Sequence, residues 1–252
     1  MYSDAELQLA YKVGNVPLSM FPYPHFYITE IFPAEFYRQL QQNLPDPEAM
    51  IPIEKARPVK GYKERFVLGF EDENLKTLPG PKRKFWEDLR GWMAGGGFAS
   101  LVLKKFDPFI RQRFDGQSIQ FHDELLLVQD ITNYKLGPHT DSPRKVVTML
   151  FYLPPDNSQA HLGTSIYVPN DPAFRCPGGP HYERENFSRL HTNPFLPNSM
   201  FTFLKTDNSF HGVELVADPD CRRWLLLYDI YVRQVEAPKP AAPLIPNVKF
   251  TF

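Results

Sequence analysis

Cysteine is scarce in this chain. Its 252 residues include 2 cysteines, Cys176 and Cys221. Two cysteines allow at most one disulfide, which excludes a small domain held together by a disulfide framework. Neither cysteine belongs to a CxxC pair, so the common zinc sites built on such pairs are excluded as well.

The sequence also lacks an excess of positive charge and any apolar run long enough to span a membrane. Its 28 lysines and arginines face 29 acidic residues, which gives a net charge of −1 at pH 7. Without a basic excess no global field attracts nucleic acid, and we expect no nucleic-acid partner. Residues 1–6 show neither the basic nor the apolar region of a secretory signal. We therefore expect a cytoplasmic protein with no membrane partner.

Proline and phenylalanine, by contrast, are abundant, with 26 and 21 copies. This composition favours many loops around an aromatic core over a helical bundle. A length of 252 residues is ordinary for one β-rich domain, and we predict a single domain in three zones. Residues 1–115 form a support of helices and strands, 116–234 hold a strand-rich core with an insertion at about 154–200, and 235–252 form a proline-rich tail.

The first zone contains one predicted strand and three predicted helices. Residues 26–32 have the apolar and aromatic character of a strand. Residues 33–44 begin with a proline, which the first helical position tolerates, and carry apolar residues at helical spacing. Two more helices are predicted over 81–93 and 98–114, separated by three glycines at 95–97. We expect these helices to pack on one face of a sheet.

Two histidines and one aspartate form the most informative pattern. His139 and Asp141 are two residues apart, so an extended backbone directs both to one side while Thr140 points away. His211 comes far downstream, as expected if it belongs to another strand. Two imidazoles and one carboxylate leave the opposite face of a metal open, which is typical of non-heme Fe(II) oxygenases. We therefore predict a metal site at His139, Asp141 and His211.

Other histidines compete for this role. His122 and Glu124 form a second pattern of the same spacing, but they precede a strand without a Gly-Pro approach, and we interpret them as part of a solvated turn. His161, His181 and His191 lie in the predicted insertion, where we interpret them as surface or substrate-side groups.

A buried strand is predicted shortly after His139 and Asp141, which together form an HxD motif. Residues 145–153 are rich in β-branched, apolar and aromatic side chains and end at two prolines. Strand alternation places Thr148, Leu150 and Tyr152 on one face of this strand.

A second long apolar strand is predicted over residues 222–232, and it opens with Arg222 and Arg223. An arginine at the mouth of a barrel strand, close behind a metal-binding histidine, can bind a carboxylate bidentately. Strand alternation lets only one of the two face inward. We expect Arg222 to do so, on the same inner face as Tyr228, with Arg223 as the alternative.

With these motifs the chain resembles the Fe(II)/2-oxoglutarate-dependent oxygenases, in particular their prolyl-hydroxylase-like branch, over about residues 118–233. The resemblance implies a mainly β fold with supporting helices (α+β), whose core is a double-stranded β-helix, the jelly roll of cupin-like proteins. It implies that iron is bound by His139, Asp141 and His211. It also implies that 2-oxoglutarate is bound by Arg222, Tyr152 and Thr148.

The function implied by this resemblance is hydroxylation of an unactivated C–H bond. The cofactors would be Fe(II), 2-oxoglutarate and O₂, and the co-products succinate and CO₂. We expect the substrate to be a small molecule, an amino acid or a peptide side chain. The insertion at about 154–200 would then cover the substrate, or else be a surface elaboration or an oligomer contact.

Two other functions remain open at this stage. The first is a cupin-type metal enzyme that does not use 2-oxoglutarate, which needs neither Arg222 nor Arg223 in the barrel. The second is a non-catalytic barrel that binds a ligand, which predicts no metal at His139, Asp141 and His211.

Overall fold

The computed structural model describes residues 3–59, 61–115 and 117–233, so the predicted tail at 235–252 lies outside the described residues. The helices are α1 (Asp4–Asn15), α2 (Ala34–Gln42), α3 (Ile53–Ala56), α4 (Asp72–Leu75), α5 (Gly80–Met93), α6 (Gly97–Lys105) and α7 (Asp107–Arg113). The strands are β1 (His25–Thr29), β2 (Ile51–Pro52), β3 (Arg65–Gly69), β4 (Gln120–Ile131), β5 (Leu136–His139), β6 (Lys145–Tyr152), β7 (Thr164–Pro169), β8 (Phe187–Asn193), β9 (Ser199–Leu204), β10 (His211–Val213) and β11 (Arg222–Arg233).

The strands form two antiparallel sheets. The larger sheet has the order β1-β9-β6-β11-β4-β3-β2, and the smaller has the order β5-β10-β7-β8. One apolar cluster joins their inner faces, with Tyr152 and Phe203 from the larger sheet and Leu136, Ile166 and Val213 from the smaller. Two antiparallel sheets that enclose a common core form a sandwich of the jelly-roll kind. The predicted fold class is therefore confirmed.

The helices other than α3 cover the outer face of the larger sheet, as predicted. Leu9 of α1, Leu89 of α5 and Val102 of α6 are buried in one apolar cluster with Phe151 of β6 and Leu226 of β11. Burial of each such aliphatic side chain contributes roughly 1.5–3 kcal/mol. The helical layer thus supports strands β6 and β11 on the side opposite their inner-face residues.

One predicted helix is divided. The sequence predicted a single helix over 98–114, but α6 ends at Lys105 and α7 begins at Asp107. Pro108 has no backbone N–H and cannot donate to the carbonyl four residues before it, so the helical ladder breaks here and restarts with proline in the first turn.

The segment 154–200, predicted as an insertion, contains regular structure. Strands β7 and β8 fall within it and pair with each other at the edge of the smaller sheet, with Thr164 opposite Asn193. Strand β8 was not predicted because most of its side chains are exposed, so it shows no alternation of apolar and polar residues. The irregular part that remains between these strands is 170–186.

The structure bears on two features of the sequence: the lack of long apolar segments and the small number of cysteines. Within the described ranges no helix is both long and apolar enough to cross a bilayer. Cys176 and Cys221 are buried free thiols. Each packs in an apolar cluster, where cysteine acts as a small hydrophobic side chain.

Candidate metal centre

Three side chains from two strands and a loop meet at one end of the sandwich. His139 ends β5 and is directly opposite His211, which begins β10, while Asp141 follows in the loop before β6. The ring centres of His139 and His211 are 4.3 Å apart. The ligand atoms of His139, Asp141 and His211 all lie within 4.8 Å of one another. The structure therefore brings together the three residues that the sequence predicted as metal ligands.

Hydrogen bonds to the backbone orient both imidazoles. Nδ1 of His139 lies 3.0 Å from the carbonyl oxygen of Gly137, and Nδ1 of His211 lies 3.0 Å from that of Ser209. A carbonyl can only accept, so we assign the ring proton to Nδ1 in each case. The lone pair on Nε2 is then free to bind a metal. Metal-binding histidines usually donate a hydrogen bond from their other ring nitrogen, as Nδ1 does here.

Burial and charge set the protonation states that a metal requires. Burial and, to a lesser extent, the neighbouring His211 lower the pKa of His139 to about 3. Burial also lowers the pKa of His211. Burial alone would raise the pKa of Asp141, but the Lys145 ammonium and the two histidines hold it well below its usual range. At neutral pH the site thus offers two neutral imidazoles and one carboxylate, the forms that bind metal ions.

Two residues of β6 hold the Asp141 carboxylate. Oγ1 of Thr148 donates a hydrogen bond of 2.7 Å to one carboxylate oxygen, and Nζ of Lys145 lies 3.3 Å from the other. Lys145 also forms an ion pair of 2.9 Å with the buried Asp229 of β11. Asp141 and Asp229 raise the pKa of Lys145 against the effect of burial, so this ammonium remains charged.

Sequence reasoning missed Lys145 and Asp229. A signal was present, because Asp229 interrupts an otherwise apolar strand. A carboxylate in such a strand is rarely buried unless it is paired.

A narrow cavity extends from the metal centre between the two sheets. Thr148 and His211 line it, and so do Arg65 of β3 and Arg223 of β11, with Leu225 among its apolar wall residues. The cavity therefore has a metal-binding histidine, His211, and the two arginines Arg65 and Arg223 among its lining residues.

The structure reverses the assignment of the arginine pair. Arg223 is 1% exposed and lines the cavity, whereas Arg222 is exposed. The prediction that Arg222 faces inward is wrong, and the alternative, Arg223, is the inward residue. The reason is the phase of the strand: Leu225 and Leu227 share the inner face with Arg223, while Tyr228 belongs to the outer face under the helices.

The other two residues predicted to bind 2-oxoglutarate lie on the inner face of β6. Thr148 lines the cavity but donates its hydroxyl to Asp141. Tyr152 is fully buried beside Phe195, and its hydroxyl oxygen accepts a hydrogen bond of 3.3 Å from the backbone N–H of Thr164. Burial raises the pKa of Tyr152 to about 12, so its hydroxyl stays protonated and can donate.

The competing pattern formed by His122 and Glu124 lies in strand β4, not in the solvated turn that we expected from the sequence. Glu124 forms an ion pair of 2.6 Å with Arg57, and the ring of His122 stacks on Tyr231. In the part of the chain that the structure describes, the only cluster of three or more groups that could hold a metal is the one at His139.

The histidines of the predicted insertion have different surroundings. The ring of His181 lies 4.5 Å from that of His139, and its Nε2 is 2.9 Å from the hydroxyl of Tyr62. His161 is exposed and pairs with Asp218. Of these histidines, His181 is therefore the one that lies at the metal centre, on the segment 170–186.

Comparisons with known proteins give a match in structure alone. No family model matches this chain, and no curated protein matches it. A prolyl-4-hydroxylase from Pseudomonas putida is 14% identical and aligns over 89% of this chain and 99% of its own, with a TM-score of 0.51. A prolyl 4-hydroxylase from Phytophthora capsici is also 14% identical, over 94% of this chain and 69% of its own, with a TM-score of 0.52.

A third solved structure has a different activity. The non-heme α-ketoglutarate-dependent epimerase SnoN from nogalamycin biosynthesis is 13% identical, over 90% of this chain and 80% of its own, with a TM-score of 0.50. Similarity at such low identity is evidence about fold, because one fold supports many activities. The chain therefore has the jelly-roll fold that prolyl-4-hydroxylases and this epimerase share.

Proposed function

We propose that this protein is an Fe(II)- and 2-oxoglutarate-dependent oxygenase. The observation that carries the proposal is one cavity lined both by His211 of the metal centre and by the buried Arg223. Two imidazoles and a carboxylate suit Fe(II) and leave part of its coordination sphere open. A guanidinium suits the distal carboxylate of 2-oxoglutarate. The fold shared with an α-ketoglutarate-dependent epimerase supports the same assignment.

The residues present fit the implied groups. His139 and His211 present Nε2 lone pairs, and Asp141 presents a carboxylate that Thr148 and Lys145 hold in place. When bound there, Fe(II) with 2-oxoglutarate and O₂ supplies the oxidising power to break an unactivated C–H bond, with succinate and CO₂ as co-products.

The chain's own residues bind, orient and exclude water. Arg223 is the residue we assign to the distal carboxylate, in place of Arg222, and Tyr152 can add a hydroxyl donor beside it. Thr148 orients Asp141 through its 2.7 Å hydrogen bond. Leu150 and Leu225 contribute apolar walls to the cavity, and a bound cosubstrate between them would be shielded from part of the bulk water.

We further propose that the reaction is a hydroxylation of a small molecule, an amino acid or a peptide side chain. Because His181 reaches the metal centre from the segment 170–186, this segment is the part of the predicted insertion that we assign to substrate covering. The inward position of Arg223 argues against a cupin-type enzyme without 2-oxoglutarate, since such an enzyme needs no buried arginine in its barrel.

Turnover of 2-oxoglutarate tests the proposal. The Fe(II)-loaded protein is incubated with O₂, 2-oxoglutarate and a panel of amino acids, peptides and small natural products, and succinate is measured. We expect succinate formation that at least one substrate stimulates and that Asp141→Ala abolishes. An iron-loaded wild-type protein that leaves 2-oxoglutarate unchanged under all these conditions would contradict the proposal.

A further inference from the structure

Three charged side chains stand side by side on three neighbouring strands of the larger sheet. Asp130 of β4 is directly opposite Arg65 of β3 on one side and Arg223 of β11 on the other. Arg65 donates from Nε and Nη2 to the two carboxylate oxygens at 2.6 and 3.0 Å, and Arg223 donates from Nη1 at 2.7 Å. The carboxylate is fully buried, and the arginine side chains are 15% and 1% exposed.

The cluster contains two positively charged side chains and one negatively charged side chain. Burial alone would lower the pKa of Arg65, but Asp130 raises it, so this guanidinium stays charged. Two guanidinium groups with one carboxylate leave a net charge of +1 inside the sandwich. A buried charge is costly unless a counter-charge pairs with it.

Each arginine keeps donors that this cluster does not use. The hydrogen bonds to the described part of the chain engage Nε and Nη2 of Arg65, and Nε and Nη1 of Arg223. One terminal nitrogen of each guanidinium is therefore available to a ligand. Both planes are fixed by aromatic rings, with Arg65 4.4 Å from the centre of Tyr134 and Arg223 4.6 Å from that of Phe195.

Two buried hydroxyl groups nearby also lack partners among the described residues. Oγ1 of Thr164 is buried without a hydrogen bond, and Thr164 lines the same cavity as Arg65 and Arg223. Oη of Tyr134, the ring that supports Arg65, is likewise buried without a partner. Unpaired polar atoms in a protein interior call for an explanation such as an absent ligand. An anion with several acceptor oxygens would satisfy both the donors and the charge.

We propose that Arg65 is a second cosubstrate-binding residue, which together with Arg223 binds the distal carboxylate of 2-oxoglutarate. The inference rests on the proposed function and assigns a role to a residue of the N-terminal support region. Asp130 is a positioning residue, because it holds both guanidinium groups in register. The pair makes the pocket selective for a 2-oxo acid with a second carboxylate at its far end.

The test compares two ligands that differ only at that end. 2-Oxoglutarate and 2-oxopentanoate share the 2-oxo acid group and five carbons, but 2-oxopentanoate has a methyl group in place of the distal carboxylate. Binding of each to Ni(II)-loaded protein is measured by calorimetry for the wild type, Arg65→Met and Arg222→Met. Arg222 is the matched control, since it is an exposed arginine at the start of the same strand as Arg223.

We expect Arg65→Met to weaken 2-oxoglutarate binding about tenfold or more and to change 2-oxopentanoate binding by less than about twofold, because only the first ligand has the charge that Arg65 pairs. Arg222→Met should bind both as the wild type does. Equal effects of Arg65→Met on the two ligands, or no effect, would overturn the proposal. If Arg65→Met does not fold, Arg65→Lys keeps the charge beside Asp130 and should still weaken 2-oxoglutarate selectively.

The same experiment separates this inference from the proposed function. A wild-type protein that binds Ni(II) but does not prefer 2-oxoglutarate over 2-oxopentanoate would overturn both. A wild-type protein that prefers 2-oxoglutarate, with the same preference retained in Arg65→Met and Arg65→Lys, would overturn the role of Arg65 alone.

Discussion

Thr148 donates a hydrogen bond of 2.7 Å from Oγ1 to the Asp141 carboxylate. This hydrogen bond orients the carboxylate toward the metal centre. Removal of such a hydrogen-bonding partner of a metal ligand typically lowers metal affinity by about 10–100-fold. We expect Thr148→Val to weaken Fe(II) or Ni(II) binding within that range without loss of fold. Thr202→Val is the matched control, because Thr202 is a buried threonine on the adjacent strand β9 whose hydroxyl has no partner among the described residues. Equal metal affinities in the two variants would contradict the role of Thr148.

The arginine pair gives a second prediction. Arg223→Met should weaken 2-oxoglutarate binding by about 2 kcal/mol or more, since it removes charge-assisted hydrogen bonds in a buried site. Arg222→Met should have no measurable effect, because the Arg222 side chain is exposed. Calorimetric titration of the metal-loaded variants measures both. A loss confined to Arg222→Met would show that β11 has the opposite phase in the functional protein.

The third prediction concerns stability. Lys145 is 12% exposed and pairs with Asp229, which is 1% exposed. Removing one partner of a buried ion pair costs about 3–5 kcal/mol, so Lys145→Met should lower the free energy of unfolding by that amount. Lys84→Met removes an exposed pair with Asp88 and should cost less than about 1 kcal/mol. Urea unfolding of the metal-free variants measures the difference, and equal costs would argue against a buried pair.

The fourth prediction is a pH dependence of the metal-free protein. Burial lowers the pKa of His139 to about 3, whereas an unfolded histidine titrates near 6.5. Below about pH 6.5 the unfolded chain therefore binds a proton that the folded chain does not. His139 then lowers the free energy of unfolding by up to about 1.4 kcal/mol for each pH unit below that value.

Urea unfolding at pH 7, 6 and 5 in the presence of a chelator checks this slope. Comparison with His139→Gln gives the contribution of His139 together with its electrostatic coupling to Asp141, His181 and His211. A slope that His139→Gln leaves unchanged would show that His139 is protonated in the folded metal-free protein.

The metal ligands could be predicted from sequence because their signal is local. The two-residue spacing of His139 and Asp141 fixes a common direction on extended backbone, and the apolar strands after each half of the motif predicted a sheet around them. The helix break at Pro108 was local too, but the apolar spacing of the flanking residues hid it.

The residues that the sequence did not reveal act through cross-strand partners. Arg65 and Asp130 are 65 positions apart, and their pairing depends on the strand order β3-β4-β11. The choice between Arg222 and Arg223 depended on the phase of β11 relative to the helical layer. Strand alternation shows that two neighbours face opposite ways, but it does not show which of them faces inward.

Anaerobic titration of the Fe(II)-loaded protein with 2-oxoglutarate tests the central claim most directly. Chelation of the iron by 2-oxoglutarate produces a weak charge-transfer band in the visible spectrum. We predict that this band appears in the wild type and in Arg222→Met, is absent in Asp141→Ala, and needs a higher 2-oxoglutarate concentration in Arg223→Met. Iron that binds at His139, Asp141 and His211 without developing the band would contradict the cosubstrate assignment, and failure to bind iron would contradict the metal centre itself.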